Sequence, residues 1–296
     1  MISRRTFGKL ALGSLPLATS WAGNESPRDA QTDEQKKIDS TIQGVRIGVS
    51  GYSFQNFSLD TAIQIMKSIG LGSTEVWFRH IEPKATREEL RAWRLSVPLD
   101  EFRKIGKKYD DAGIDRVAFT HDLRDDFTEE ELERPFLMAK ALGAPRIATS
   151  TTLTVARRLA PLMEKYNMEV AFHGHINVAD PNEFAGPDSF RKALAMSPLA
   201  RINLDIGQFM GAGFDPVPFI AEQHAKIPVL HIRDGQRGQR GKVPWGTGDV
   251  PIKDVLQLLK REKYAMVADI EYDYGGAMDP MNEIRKCFDF CKNALE

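Results

Sequence analysis

The feature of this sequence that most restricts its fold is a repeated alternation of short apolar runs with amphipathic stretches. Eight runs rich in β-branched and other apolar residues follow one another: Arg46–Ser50, Ser73–Phe78, Arg116–Thr120, Arg146–Thr149, Glu169–His173, Arg201–Ile206, Pro228–Ile232 and Met266–Glu271. Eight strand–helix units in about 250 residues predict a single-domain α/β protein with a (β/α)8 TIM-barrel fold. An open doubly wound sheet is the alternative, although such sheets usually contain fewer strands.

The stretches between the runs carry apolar residues at helical spacing. One such stretch begins after Ser58, and another begins with a capping box from Thr128 to Glu131. Helices are expected over Leu59–Ile69, from Thr128 onward, and over Thr154–Tyr166, Ser189–Met196, Val217–Lys226, Ile252–Arg261 and Met281–Leu295.

The composition is that of a globular protein with little net charge. The chain has 296 residues, of which 42% are hydrophobic and 27% are charged, and its 40 basic and 41 acidic residues give a formal net charge of −1. These proportions exclude a disordered chain and a polytopic membrane protein. The near-neutral charge also makes nucleic acid a poor partner. No glycine-rich dinucleotide fingerprint or Walker-type loop follows a predicted strand, so nucleotide binding has no support.

The first 44 residues precede the repeats and predict an export signal followed by a linker. A paired arginine, Arg4-Arg5, stands before a short apolar stretch that ends in small residues at Ser20 and Ala22. This pattern is typical of a twin-arginine signal peptide over residues 1–22. The apolar stretch is too short for stable membrane insertion as a helix. We therefore expect export to the periplasm or an equivalent compartment by the twin-arginine translocase, a flexible linker over residues 23–44 and the barrel over residues 45–296.

Polar side chains gather at the carboxyl ends of the predicted strands, where TIM barrels build their active sites. From the second strand to the eighth, they are Glu75, Trp77, His121, His173, His175, Asp205, Gln208, His231, Arg233 and Glu271. Trp245 lies in the loop after the seventh strand. This placement predicts a single site at the mouth of the barrel.

Three of these residues predict a metal ion. Asp205, His231 and Glu271 each stand in an otherwise apolar strand, where an unpartnered polar group is costly to bury. If they converge at the barrel mouth, one divalent cation satisfies all three. Imidazole and carboxylate are suited to manganese, iron, cobalt or zinc, so the sequence predicts one divalent ion without fixing its identity. A satisfied core histidine or a salt-bridged acid is the structural alternative for each residue taken alone.

Several motifs resemble those of the xylose isomerase-like TIM-barrel family, which includes sugar phosphate isomerases and epimerases. They cover about residues 45 to 295 and are Gly51–Phe54, Gly72–Glu75, Leu204–Gly207, Leu230–Asp234, Val243–Asp249 and Ile270-Glu271. The resemblance implies that His173, Asp205, His231 and Glu271 hold the metal. It departs at His173, where the epimerases have a glutamate. The two-carboxylate arrangement that moves a proton between opposite faces of a sugar is therefore lost, although histidine can still bind metal or act as a base.

The chemistry implied by this resemblance is proton abstraction next to a carbonyl. The cation would stabilise the enediolate, and Glu271 or His173 would move the proton. The leading interpretation is an exported, metal-dependent sugar isomerase or epimerase. A keto-sugar or glycoside lyase or dehydratase that uses the same residues is the first alternative, and a carbohydrate-binding barrel without catalysis is the second.

Seven further residues are candidates for contact with the sugar: Glu75, Trp77, His121, His175, Gln208, Arg233 and Trp245. Glu75 would bind a sugar hydroxyl or a ligand-holding histidine, with a structural salt bridge as the alternative. The two tryptophans would supply an apolar platform or, alternatively, pack in the barrel. Arg233 would bind an anionic group or remain solvated in its loop.

Overall fold

The computed structural model describes residues 36–238, 243–272 and 279–296. Nine strands form one sheet: β1 (Thr41–Ile42), β2 (Val45–Ser50), β3 (Ser73–Trp77), β4 (Asp115–Thr120), β5 (Arg146–Ser150), β6 (Glu169–His173), β7 (Ala200–Asp205), β8 (Val229–Ile232) and β9 (Val267–Ile270). Strands β2 to β9 are parallel in sequence order, and β2 pairs with β9 to close the sheet. The (β/α)8 TIM barrel is confirmed, and each of the eight predicted runs contributes one strand of the barrel.

Helices pack around the outside of this barrel. They are α1 (Leu59–Ile69), α2 (Arg87–Ser96), α3 (Leu99–Ala112), α4 (Glu129–Leu142), α5 (Leu153–Tyr166), α6 (Pro187–Leu194), α7 (Ile206–Gly211), α8 (Pro216–Gln223), α9 (Ile252–Glu262) and α10 (Pro280–Leu295). The predicted capping box is present at the start of α4. The Thr128 hydroxyl accepts from the Glu131 amide, and the Glu131 carboxylate accepts from the Thr128 amide. The sequence analysis missed α2, α3 and α7, although Thr86 and Glu89 form another capping box. Among the described residues, no helix is long and apolar enough to cross a membrane.

The segment 36–44, which the sequence analysis assigned to a flexible linker, is ordered against the amino-terminal end of the barrel. Strand β1 pairs with β2 in an antiparallel hairpin, and Gln43 and Gly44 turn the chain with positive φ angles of 49° and 86°. A glycine in such a two-residue turn is a hairpin signal that the sequence analysis overlooked. The linker prediction is therefore corrected for residues 36–44. Its remainder, residues 23–35, and the signal peptide predicted over residues 1–22 lie outside the described residues.

Two contacts hold this segment in place. The Ser40 hydroxyl donates to the Ile47 carbonyl at 2.5 Å and accepts from the Gly72 amide at 3.1 Å. Residue 72 must be glycine, because a Cβ atom there would lie 1.8 Å from the Ile38 carbonyl oxygen. The end of the barrel opposite the predicted site is thus closed by backbone contacts.

Alternation along the strands separates an apolar layer from a polar interior. In β2, Val45, Ile47 and Val49 belong to the apolar core shared with the helices. Gly48 faces the interior, since a Cβ atom there would lie 2.0 Å from a carboxylate oxygen of Asp269. Polar residues at inward positions are therefore aligned along the barrel axis towards the carboxyl ends of the strands.

Candidate metal centre and active site

Three of the four predicted metal ligands come together at the ends of β6, β7 and β8. His173 and Asp205 are the last residues of β6 and β7, and Asp205 pairs directly with His231 in the register of β7 and β8. One nitrogen of each histidine and one carboxylate oxygen of Asp205 all lie within 4.8 Å of one another. Asp205 and His231 are register partners, whereas His173 pairs with Asn203, two residues before Asp205, and reaches the same cluster from the end of β6.

His231 lies between two carboxylates. Its Nε2 atom is 2.6 Å from Glu75 Oε2, and its Nδ1 atom is 2.8 Å from Glu271 Oε2. Burial alone would lower the pKa of His231, but the charges of Glu75 and Glu271 outweigh burial and raise this pKa well above its ordinary value. The hydrogen bond between Nε2 and Glu75 fixes the orientation of the imidazole, whereas Nδ1, although close to Glu271, makes no hydrogen bond within the described residues.

Glu271 also contacts the guanidinium group of Arg233. Arg233 Nη1 donates to Glu271 Oε1 at 3.0 Å and lies 3.4 Å from Asp205 Oδ2. Burial would raise the pKa of Glu271, but His231 and Arg233 hold this pKa below its ordinary value. Gly207 makes room for the arginine, because a Cβ atom at residue 207 would lie 2.7 Å from Arg233 Cγ. Glu271 is thus kept as a carboxylate.

Asp205 uses its two oxygens differently. Oδ1 accepts from the Gln208 amide at 2.8 Å and caps α7, which fixes the orientation of the carboxylate. Burial raises the pKa of Asp205 to about 6, partly offset by the positive charge of Arg233. Oδ2 faces the cluster and, within the described part of the chain, has no hydrogen-bond donor.

These residues fit a divalent cation. The Nδ1 atom of His173 is buried and, like Asp205 Oδ2, finds no hydrogen-bond partner among the described residues. Burial lowers the pKa of His173 well below its ordinary value, so its imidazole is in the neutral form that binds metals. Two imidazoles and a carboxylate are common ligands of transition metals. Glu271 lies next to this set through His231, and its predicted role as a fourth ligand stays a prediction.

A cavity of about 780 Å³ opens above the cluster. It is lined by His173, His231 and Glu271, together with four predicted sugar-contacting residues: Trp77, His175, Gln208 and Arg233. His175 is partly exposed, and its Nδ1 atom is 3.8 Å from Glu183 Oε2. A small molecule in this cavity can reach the metal-binding side chains.

The matching family model covers residues 63–294 and is described as a xylose isomerase-like TIM barrel. The chain belongs to this family. A search of curated proteins found no match. The residues of the cluster therefore lie within a barrel whose family includes sugar isomerases and epimerases.

Three solved structures share this fold at low sequence identity. The IolI protein with a bound zinc atom is 15% identical, with a TM-score of 0.64 over 85% of this chain and 99% of its own. The probable 3-DHS dehydratase AsbF of Bacillus anthracis is 16% identical, with a TM-score of 0.63 over 85% of this chain and 97% of its own. An L-ribulose 3-epimerase is 15% identical, with a TM-score of 0.63 over 85% of this chain and 94% of its own. These similarities show the fold alone.

Two residues expected to contact the sugar are buried below the cavity or beside it. The side chain of Glu75 is fully buried and binds His231 and the Nδ2 atom of Asn203, the latter at 2.7 Å. His121 is also buried, and its Nε2 atom lies 3.3 Å from Glu82 Oε1. Neither lines the cavity of this xylose isomerase-like barrel. Direct sugar contact stays a prediction for both, and Glu75 contacts a candidate metal ligand, as one of its predicted alternatives stated.

Trp245 packs on the outer helix α10. Its ring packs edge-to-face on Phe290 of α10, with centroids 5.7 Å apart, and it is not among the residues that line the cavity. The loop that carries it is held by Asp234, which accepts from the amides of Gly246 and Gly248 at 2.8 and 3.0 Å. Trp245 packs on α10, as its alternative in the sequence analysis stated, and its contact with a sugar stays a prediction.

The sequence analysis missed two polar residues of the barrel interior. Asn203 bridges Glu75 and His231, and Asp269 lies one pleat below Glu271 with both carboxylate oxygens buried. Burial and the neighbouring charge of Glu75 raise the pKa of Asp269 well above its ordinary value. Asn203 stands two positions before Asp205, and Asp269 stands two positions before Glu271. Because every second residue of a strand faces the same side, this spacing could have predicted that both point into the barrel.

Glu82 allows a test of the buried ion pairs that join it to Arg94 and His121. Arg94 donates to both oxygens of Glu82, at 2.6 and 2.7 Å. Burial would raise the pKa of Glu82, but hydrogen bonds from His121 and Arg94 lower it from 4.5 to about 2. A depressed folded-state pKa means that this stabilisation is complete above about pH 4.5 and is lost as the pH falls towards 2.

We therefore expect Glu82→Gln to destabilise the protein by about 2 kcal/mol at pH 7. The difference from wild type should shrink as the pH is lowered from 4.5 towards 2. Urea unfolding at a series of pH values measures both quantities. Glu101→Gln, in an exposed ion pair with Lys104, is the matched control and should have little effect. A Glu82→Gln deficit that does not change with pH would contradict this assignment.

Proposed function

We propose that this protein is a metal-dependent sugar isomerase or epimerase that abstracts a proton next to a carbonyl. The observation that carries the proposal is the convergence of His173, Asp205 and His231 within 4.8 Å, beside the ionised Glu271 and open to a cavity. Membership of the xylose isomerase-like family and the fold shared with an L-ribulose 3-epimerase support this class of chemistry.

His173, Asp205 and His231 would hold one divalent ion, and Glu271 is the proposed fourth ligand. When bound, such an ion polarises the carbonyl oxygen of an open-chain or keto sugar and stabilises the enediolate. The zinc atom bound by the similarly folded IolI protein supports a metal at this kind of site. Manganese, cobalt, iron and zinc all remain compatible with the nitrogen and oxygen donors.

Glu271 is the proposed catalytic base. Its carboxylate lines the cavity, and contacts from His231 and Arg233 keep it charged and fixed in position. A positioned carboxylate can remove a proton from the carbon next to the carbonyl and return it to the neighbouring carbon. His173 is the second candidate for proton transfer, since its neutral imidazole also lines the cavity. Trp77, His175, Gln208 and Arg233 would contact the sugar.

A lyase or dehydratase is the second candidate function. The observation that favours it is His173 itself, which stands where an epimerase has a second carboxylate. A single carboxylate base is sufficient to start elimination of a β-substituent from the same enediolate. The fold shared with a probable 3-DHS dehydratase is compatible with this outcome.

Glu271→Gln tests the proposed base. We expect the metal-loaded wild-type protein to exchange the hydrogen next to the carbonyl of its sugar substrate for solvent deuterium in D2O. The exchange rate of the variant should be about 10²- to 10⁴-fold lower, because glutamine cannot accept the proton. NMR of a panel of ketoses and aldoses measures exchange and identifies isomerised or dehydrated products. Glu262→Gln, at the exposed end of α9, is the control, and undiminished exchange in Glu271→Gln would contradict the role of Glu271 as the base.

We also propose that the protein is exported in folded form by the twin-arginine translocase. The support is the sequence Arg4-Arg5 before the apolar stretch. Metal loading in the cytoplasm before export would avoid competition from copper and zinc outside it. Replacing both arginines with lysine should retain the protein in the cytoplasm, as measured by cell fractionation. Export of the double variant at the wild-type level would contradict the proposal.

A further inference from the structure

We infer that the cavity contains a second sugar subsite, so that the substrate is a neutral disaccharide or another glycoside rather than a single sugar. This inference rests on the proposed function, which places the reacting sugar ring at the metal cluster. The second subsite, called here the β2–β5 subsite, comprises Tyr52, Trp77, Asp122, Arg124 and Thr152.

The side chains that line the cavity divide between the two halves of the barrel. The residues proposed to bind metal or move protons belong to β6–β9 or follow them directly. The other half of the lining follows β2–β5 and includes the five residues of the β2–β5 subsite together with Arg79 and Asp125. This half contains none of the proposed metal-binding residues, and Trp77 is its only described member with a role in the proposed function.

The size of the cavity indicates that both halves are used. Pockets for small molecules typically have volumes of about 300–1,000 Å³, and this cavity of about 780 Å³ lies in the upper part of that range. In this inference, the reacting ring at the metal cluster occupies the β6–β9 half, and a second ring linked to it occupies the β2–β5 half.

The apolar part of the β2–β5 subsite is a fixed aromatic surface. Trp77 is partly buried and is held edge-to-face by Tyr52 on one side and His80 on the other, with ring centroids 5.5 and 5.1 Å away. Tyr52 and Trp77 both line the cavity. Rigid aromatic rings bury the apolar C–H face of a sugar at little cost in conformational entropy.

The polar part of the subsite is charge-balanced. Asp122 Oδ2 lies 3.6 Å from Arg124 Nη2, and Asp125 accepts from the Thr152 hydroxyl at 2.9 Å. Arg79 also lines the cavity, so this part of the lining contains two carboxylates and two guanidinium groups. Hydroxyl groups can donate to the carboxylates and accept from the guanidinium groups. Because these charges balance, this wall has no net charge that selects an anionic sugar, and it suits a neutral polyhydroxyl ligand.

Isothermal titration calorimetry with glucose, cellobiose, maltose and trehalose tests the inference. The full chain is used with and without added Mn²⁺, so that binding is measured independently of turnover. We expect at least one disaccharide to bind about tenfold or more tightly than glucose. Asp122→Ala and Arg124→Ala should each remove most of this advantage and leave glucose affinity unchanged. Asp100→Ala, in an exposed ion pair with Arg103 on α3, is the control.

Two outcomes would overturn the inference: no disaccharide binds more tightly than glucose, or Asp122→Ala weakens glucose and disaccharide binding equally. Failure of the proposed function is distinguishable from either of these. Selective disaccharide binding without turnover or metal dependence would keep the subsite and remove the isomerase proposal. Turnover of single sugars as efficiently as disaccharides, with no effect of Asp122→Ala, would keep the isomerase and remove the subsite.

Discussion

The contact of His231 with Glu75 and Glu271 is the interaction on which the site depends. It places a carboxylate at each ring nitrogen, 2.6 and 2.8 Å away, in the closed interior of the barrel. Buried acids are costly unless they meet positive charge. In the described interior, His231 and Arg233 supply this charge to Glu75, Asp205 and Glu271. A divalent ion at the same place would serve the same electrostatic purpose, with His231 giving up its Nδ1 proton as metal ligands must.

The fold was predictable because each strand carries its own local signal. Eight β-branched runs separated by helical periods determine a barrel, and the barrel determines which ends of the strands face the site. The segment 36–44 was missed because its two-residue strand is too short to show a period. Helices α2 and α3 occupy a single connection between β3 and β4, which the simple strand–helix alternation does not anticipate.

The site was predictable where a residue stands at a strand end and faces inward. That rule found His173, Asp205, His231 and Glu271. It could not separate the layer that contacts a ligand from the layer beneath it, so Glu75 was expected in contact with sugar. His121 shows a different difficulty, since its partners Glu82 and Arg94 lie on a connection whose path cannot be derived from strand positions. Sequence periodicity does not predict how one connecting segment packs on another.

The central claim is that the side chains of β6–β8 hold one divalent metal ion, and elemental analysis of the purified protein tests it most directly. The account predicts about one manganese, iron, cobalt or zinc ion per chain. Asp205→Ala and His231→Ala should lose this ion, whereas His224→Ala should retain it, because His224 lies outside the cluster and stacks on Tyr264. A folded wild-type protein that takes up no metal, even after incubation with manganese, cobalt or zinc, would contradict the account.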